Sequence, residues 1–271
     1  MPPTAWPPWA VMWALAAAVY AGCKWLTWAR TPAPAAPAPR QAAYLLAWPG
    51  LDAGAFLKRH PRPPARRPTP AEWAFAAAKL ALGAGLTWGA VRALPADGPL
   101  ARGWVGMAGL AFLLHFGAFH LLSCAWRAAG ADAKPLMDWP VRATGLAEFW
   151  GRRWNTAFRD LAHRFVFRPL VHRLGPRAGL AAGFLASGLV HDLVISVPAG
   201  GGYGGPTAYF ALQGLGLLAE RSAPGRAMGL GRGWRGRAFT ALAVAGPAGL
   251  LFHPPFVRTV VLPFLDVIGA A

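Results

Sequence analysis

Apolar residues in this chain gather into long runs, while arginine, proline and glycine collect between them. A helix that crosses a bilayer needs about 20 mostly apolar residues, because its backbone must satisfy itself across ~30 Å of hydrocarbon. Runs near residues 9–28, 73–91, 104–126, 178–197, 206–219, 238–252 and 256–271 meet or approach that length. The pattern therefore predicts an all-α fold, a polytopic transmembrane helix bundle of about seven or eight spans. Trp9, Trp28, Trp73, Trp104 and Trp126 bound the first three runs, as indoles do at the water–lipid boundary. With no internal repeat and no linker between two cores, residues 1–271 read as one membrane domain.

Between the third and fourth runs the pattern changes period. Leu146, Phe149, Trp150, Trp154, Ala157, Phe158, Leu161 and Phe165 recur at helical spacing, with arginines on the opposite side. This predicts an amphipathic helix lying in the membrane interface, within a large basic loop over residues 127–177. Upstream, Thr31–Arg40 reads as a Pro/Ala linker and Arg59–Pro70 as an extended Pro/Arg tract, with Ala42–Leu57 between them too short to cross and so interfacial or re-entrant.

Composition supports lipid as the main solvent: 55% of residues are hydrophobic and only 14% charged, against roughly a quarter charged in a soluble domain. The net charge of +17 raises the possibility of nucleic acid, but these arginines sit in gaps between apolar runs rather than on one polar face. A membrane surface is the partner they imply, and nucleic acid is not expected. Strongly basic loops alternate with loops of little or no charge, and one topology satisfies them all: N-terminus outside, loop 127–177 in the cytoplasm. The Ala/Arg/Gly/Pro-rich composition fits a bacterial inner membrane. Cys23 and Cys124 lie inside apolar runs, where a disulfide framework has no place. The start Met1–Trp6 lacks the basic residues of a cleavable signal, so the first run is expected to remain as a span.

Two features carry candidate chemistry. His191 lies within an apolar run, where an ionisable group is costly and faces a cavity or a partner. An imidazole is suited to accept a proton near neutral pH, but it also serves as a plain hydrogen-bonding link to a neighbouring helix. The second feature is Phe149-Trp150-Gly151-Arg152-Arg153-Trp154-Asn155 in the basic loop. Together with Ser187-Gly188-Leu189-Val190-His191 it resembles the paired signature of the membrane-bound O-acyltransferase superfamily, especially its wax-synthase-like members. The resemblance runs from about Asp138 to Glu220 and includes the basic link Arg164-Phe165-Val166-Phe167-Arg168-Pro169-Leu170. The segment Trp48-Pro49-Gly50-Leu51-Asp52 looks similar to one upstream in that group.

The resemblance implies a wax-synthase-like enzyme of lipid metabolism, transferring a fatty acyl group from acyl-CoA, as co-substrate, to the hydroxyl of a lipophilic alcohol. It makes His191 catalytic and Asn155 its polar partner, with no metal and no bound cofactor. His191 would then act as base, and the Asn155 amide would hold the oxyanion or orient the acyl donor. Trp150, Trp154 and Ser187 are expected beside the substrates, Ser187 reaching the ring from four residues away and Ser187-Gly188 leaving room. Asp192, adjacent on the helix, points elsewhere. Arg152, Arg153 and Arg159 match either the phosphates of coenzyme A or lipid headgroups. A regular helix sets Asn155 about a third of a turn off the apolar stripe. If it meets His191, the helix must break there or dock with both faces. Other readings are acylation of a glycan or lipid headgroup with a short donor, and a non-catalytic protein that binds or translocates lipid.

Remaining candidates point to packing. His115 and His120 are five apart, on different sides of a helix, without Cys, Asp or Glu ligands evident beside them, so they read as packing or tunnel wall. Gly200–Gly205 and Gly229–Gly233 lack the context of a phosphate loop, and no Gly-x-Ser-x-Gly elbow is present.

Overall fold

The computed structural model describes residues 6–31, 36–58 and 66–271, and every regular element among them is helical. Expectations for Met1–Ala5, and for parts of the Thr31–Arg40 and Arg59–Pro70 tracts, fall outside the described residues. In chain order the elements are α1 (Pro8–Ala29), α2 (Ala38–Ala47), α3 (Ala53–Leu57), α4 (Pro70–Ala93) and α5 (Pro99–Ala128). There follow α6 (146–153), α7 (156–174), α8 (Gly175–Ala199), α9 (Gly205–Arg221), α10 (Ala223–Met228), α11 (Gly233–Leu251) and α12 (Pro254–Val267). Proline opens α1, α4, α5 and α12, because its missing N–H is one that a first helical turn leaves unpaired anyway.

α1, α4, α5 and α8 are each long and apolar enough to cross a membrane, and the chain is a multi-pass integral membrane protein. α11 and α12 add a further crossing only as a pair bent by 63°. The expectation of seven or eight spans counted more. Residues 238–252 and 256–271 belong to that bent pair, broken where Pro254-Pro255 prevents the helix from continuing through His253. The run 206–219 became the 17-residue α9, about 25 Å long. It also buries Gln213 and Glu220.

Small residues bring the spans together. A methyl group added at Gly117 of α5 would lie 2.8 Å from the Leu80 Cα of α4, and one at Gly109 would lie 2.8 Å from the Thr87 backbone nitrogen. Such close backbone approach is how helices associate where apolar burial gives no net drive. The α2–α3 segment does not cross. It folds over the end of α1, burying Tyr44, Trp48, Phe56 and Leu57, with Phe56 edge-on to Trp126 of α5 at 5.2 Å. Lys24 of α1 holds it there, donating to the carbonyls of Trp48 (2.7 Å) and Gly50 (2.5 Å).

The stretch 127–177 is largely structured. Ser123 Oγ donates to the Ala133 carbonyl at 2.6 Å, folding residues 129–139 back onto the end of α5. The expected single amphipathic helix is two pieces, α6 and α7, broken where Trp154 is extended and Asn155 takes φ +40°. α8 begins after a second break at Gly175, φ +81°, followed by Pro176, a conformation that glycine adopts without steric cost.

Candidate functional site

His191 lies in α8 and is a half-buried residue. Nδ1 is 2.7 Å from the carbonyl of Ser187 one turn earlier. A carbonyl only accepts, so Nδ1 carries the proton and, in the neutral ring, Nε2 presents a lone pair. The expected contact through the Ser187 hydroxyl is thus replaced by one through its backbone oxygen, which faces the ring of a residue four positions on. The ring rests against Phe210 of α9, centroids 4.5 Å apart.

Gly188 does not leave room for substrate as expected. Its α-carbon faces Thr207, whose Cα would be 2.7 Å from an added methyl, so the missing side chain lets α8 and α9 touch. Asp192 points away from the imidazole, as its neighbouring position requires. It accepts from Ser196 Oγ (2.8 Å), Gly204 N (2.9 Å) and Thr207 N (3.0 Å), and from Thr207 Oγ1. A carboxylate there satisfies the free N–H groups at the start of α9 and meets the positive end of its dipole.

The Phe149–Asn155 motif divides its residues between two neighbourhoods. Trp150 turns toward α8 and α9, edge-on to Phe184 (5.9 Å) and against Phe210 (5.8 Å), and its indole N–H donates to buried Gln213 at 3.3 Å. Phe149 and Trp154 stack on one another at 5.6 Å and face a different space, a large cavity described below. The α6 N-terminus is anchored by buried Glu220, whose carboxylate accepts from the N–H groups of Leu146 and Ala147.

Asn155 does not meet His191. The helix breaks beside it, as contact required, yet its Oδ1 accepts from the Phe158 N–H at 3.5 Å and so caps α7. The imidazole's ring contact is with Phe210, which in turn meets Trp150. Asparagine tolerates φ > 0 better than most residues. Asn155→Gly should therefore keep most of the protein's stability, whereas Asn155→Ala should lose about 1–2 kcal/mol from the lost cap and the strained backbone. Thermal unfolding of the two purified variants checks this, and equal losses would refute a backbone role.

Of the three arginines, Arg153 pairs with Glu148 (Nε–Oε1 2.8 Å) and donates to the Asp138 carbonyl. Arg159 is spent on the Gly151 carbonyl at 2.6 Å and on Asp160. Only Arg152 is exposed without a partner among the described residues. Backbone and hydroxyl donation from Thr144, together with Arg153, holds the Glu148 carboxyl below its ordinary value near 4.5. A lowered carboxyl stabilises the fold above that value and loses its contribution as pH falls through the depressed one. Glu148→Gln should accordingly flatten the acid limb of a melting-temperature profile between about pH 5 and 3; an unchanged slope would count against the assignment.

A cavity of about 1400 Å³ lies between α4, α5, the 132–143 segment and α11, with Phe75, Phe112, Phe116, Trp139 and Val244 among its walls. Neither His191 nor Asn155 lines it. Its polar wall is a cluster that sequence reasoning passed over. His120 Nε2 is 3.1 Å from Glu72 Oε1 and its Nδ1 is 2.7 Å from Lys79 Nζ, while the Arg127 guanidinium pairs with both Glu72 oxygens. The assignment of His120 to a tunnel wall fits this position; the reading that no carboxylate or cysteine accompanies it does not. Glu72, His120 and Cys124 offer ligand atoms within 4.8 Å of one another, a set suited to a borderline metal ion. Here Lys79 and Arg127 already occupy those atoms and place two positive charges beside them. The available signals were Lys79, alone among charges in the interior of its run, and the His120/Cys124 spacing of four.

Residues 133–212 match the family model described as membrane bound O-acyl transferase family. A probable long-chain-alcohol O-fatty-acyltransferase 7 of Arabidopsis thaliana is 33% identical over 148 residues, 48% of this chain and 42% of the relative. A second, number 9 of the same plant series, is 32% identical over 146 residues, covering 49% and 42%. An acyl-CoA–sterol O-acyltransferase 1 of the same plant is 37% identical over 70 residues, covering 23% and 20%. The matched part is less than half the length of these relatives. No solved structure matches. The resemblance carried by the Trp-Asn and His191 stretches is thereby borne out: residues 133–212 are similar to the membrane-bound O-acyltransferases, in their wax-synthase-like branch.

Proposed function

We propose that this protein is a membrane O-acyltransferase that moves a fatty acyl group from acyl-CoA to the hydroxyl of a lipophilic alcohol. The carrying observation is the His191 imidazole, set in a membrane-crossing helix with Nδ1–H fixed on the Ser187 carbonyl and Nε2 left with its lone pair. In the reaction Nε2 takes the alcohol proton as the oxygen attacks the thioester carbonyl. Collapse of the tetrahedral intermediate breaks the C–S bond, and the coenzyme A thiolate recovers the proton from Nε2. The products are an ester and free thiol. The Nδ1 bond persists throughout and keeps the ring in one orientation.

The acceptor reaches the ring from the bilayer. Leu189, Val190 and Leu193 beside it are exposed on the helix surface, so a lipophilic alcohol dissolved in lipid meets His191 without crossing water. Arg152 is the residue left to hold a coenzyme A phosphate, on the cytoplasmic side. Asn155 contributes by turning the chain between α6 and α7 rather than by touching the reacting atoms. Membranes containing the protein, supplied with palmitoyl-CoA and hexadecanol, test the proposal: hexadecyl palmitate and free thiol should appear together, and no ester with any hydroxyl acceptor would refute it.

A further inference from the structure

The cavity is apart from His191, and Lys79 on its wall has no acidic partner. Lys79 is nine residues into α4, about 13 Å from its start and close to mid-depth in a ~30 Å hydrocarbon layer. An ammonium there is costly and needs a counter-charge. All ten Asp and Glu residues of the chain lie among the described residues, and none forms an ion pair with Lys79. Glu72, nearest in the cluster, is taken by Arg127. Arg127 in turn directs its donors to Glu72, Ser123, Cys124 and the Arg66 carbonyl.

Lys79 has a single recorded hydrogen bond, to His120 Nδ1, with the ring of Phe75 4.6 Å away. His120 is fixed as an acceptor there, because its other nitrogen must donate to the Glu72 carboxylate. Two of the three ammonium donors are thus unspent beside the cavity. The walls continuing from Lys79 are Leu82, Phe112, Phe116, Ala241 and Val244. The volume of about 1400 Å³ exceeds the ~300–1,000 Å³ of a drug-sized site. Lys58, Arg66, Lys134 and Arg237 also line the cavity, but Lys79 is the cation set in the interior of a membrane-crossing helix among these apolar walls. A carboxylate on a long alkyl chain matches that pairing of charge and apolar surface.

We infer that this cavity binds a long-chain fatty acid, its carboxylate on Lys79 and its alkyl chain along Phe112, Phe116 and Val244. The inference stands apart from ester synthesis, since neither His191 nor Ser187, Trp150 or Phe210 near it lines the cavity. Binding of radiolabelled palmitate to the purified full-length protein in detergent tests it. Palmitate should bind at least about tenfold more tightly than methyl palmitate, which keeps the chain and lacks the charge, as expected for loss of one charge-assisted hydrogen bond. Lys79→Met should lose that preference and Lys79→Arg should keep it, while His191→Ala should bind palmitate like the unaltered protein. Equal affinity for palmitate and its methyl ester, or no palmitate binding, overturns the inference; the ester comparison uses the unaltered protein and stands even if Lys79→Met fails to fold.

Discussion

Replacing His191 by alanine should lower hexadecyl palmitate formation by about a hundredfold or more, the scale set by removing a positioned general base. In the proposed reaction His191 serves as base because its bond to the Ser187 carbonyl fixes the tautomer and leaves the lone pair on Nε2. The ring also fills space beside Phe210, so the variant's expression and melting temperature need to be read alongside its activity. His191→Gln fills similar volume without a titrating base and should be as inactive as alanine. Product is measured by mass spectrometry of extracted lipids and thiol release by colorimetry. Full activity in either variant would remove His191 from the chemistry.

The largest stability effect is expected at Arg127. Its guanidinium is 5% exposed and pairs with Glu72 inside the α4–α5 packing. Arg127→Met would leave the Glu72 carboxylate without its main counter-charge, a change that costs about 3–5 kcal/mol for buried pairs. Adding Glu72→Gln should recover much of that loss, because the double variant removes both members of the ion pair. Thermal unfolding in detergent, followed by tryptophan fluorescence, measures both. If Arg127→Met melts like the unaltered protein, the pair is solvated rather than structural.

Much of the architecture was legible because hydrocarbon imposes a strict rule on sequence. Only long apolar helices satisfy their backbone there, so α1, α4, α5 and α8 appear where the runs predict them. The motif around Trp150 and His191 was equally legible as a local pattern. Its pairing was not: helical period says which side of a helix a residue takes, and nothing about Phe210, from a third element, lying against the imidazole. Ser187 illustrates the same limit, since spacing of four places both its hydroxyl and its carbonyl near the ring, and only coordinates choose between them. Gly188 read as space for a ligand because the helix it would meet begins seventeen residues later, at Gly205.

The cavity cluster was hidden for a related reason. Glu72, Lys79, His120 and Arg127 come from two helices separated in sequence by up to 55 positions, and each looks like an isolated charge on its own run. Hydropathy and residue spacing by themselves determined that the chain is helical, lives in lipid and carries an imidazole within a span. Tertiary structure alone decided which nitrogen of His191 is free, that Asn155 caps a helix instead of facing it, and that Lys79 lacks a carboxylate partner. The physical reason is that solvent preference and helical period are properties of one segment, whereas hydrogen-bond partners and charge balance inside a membrane depend on which other segments arrive beside it.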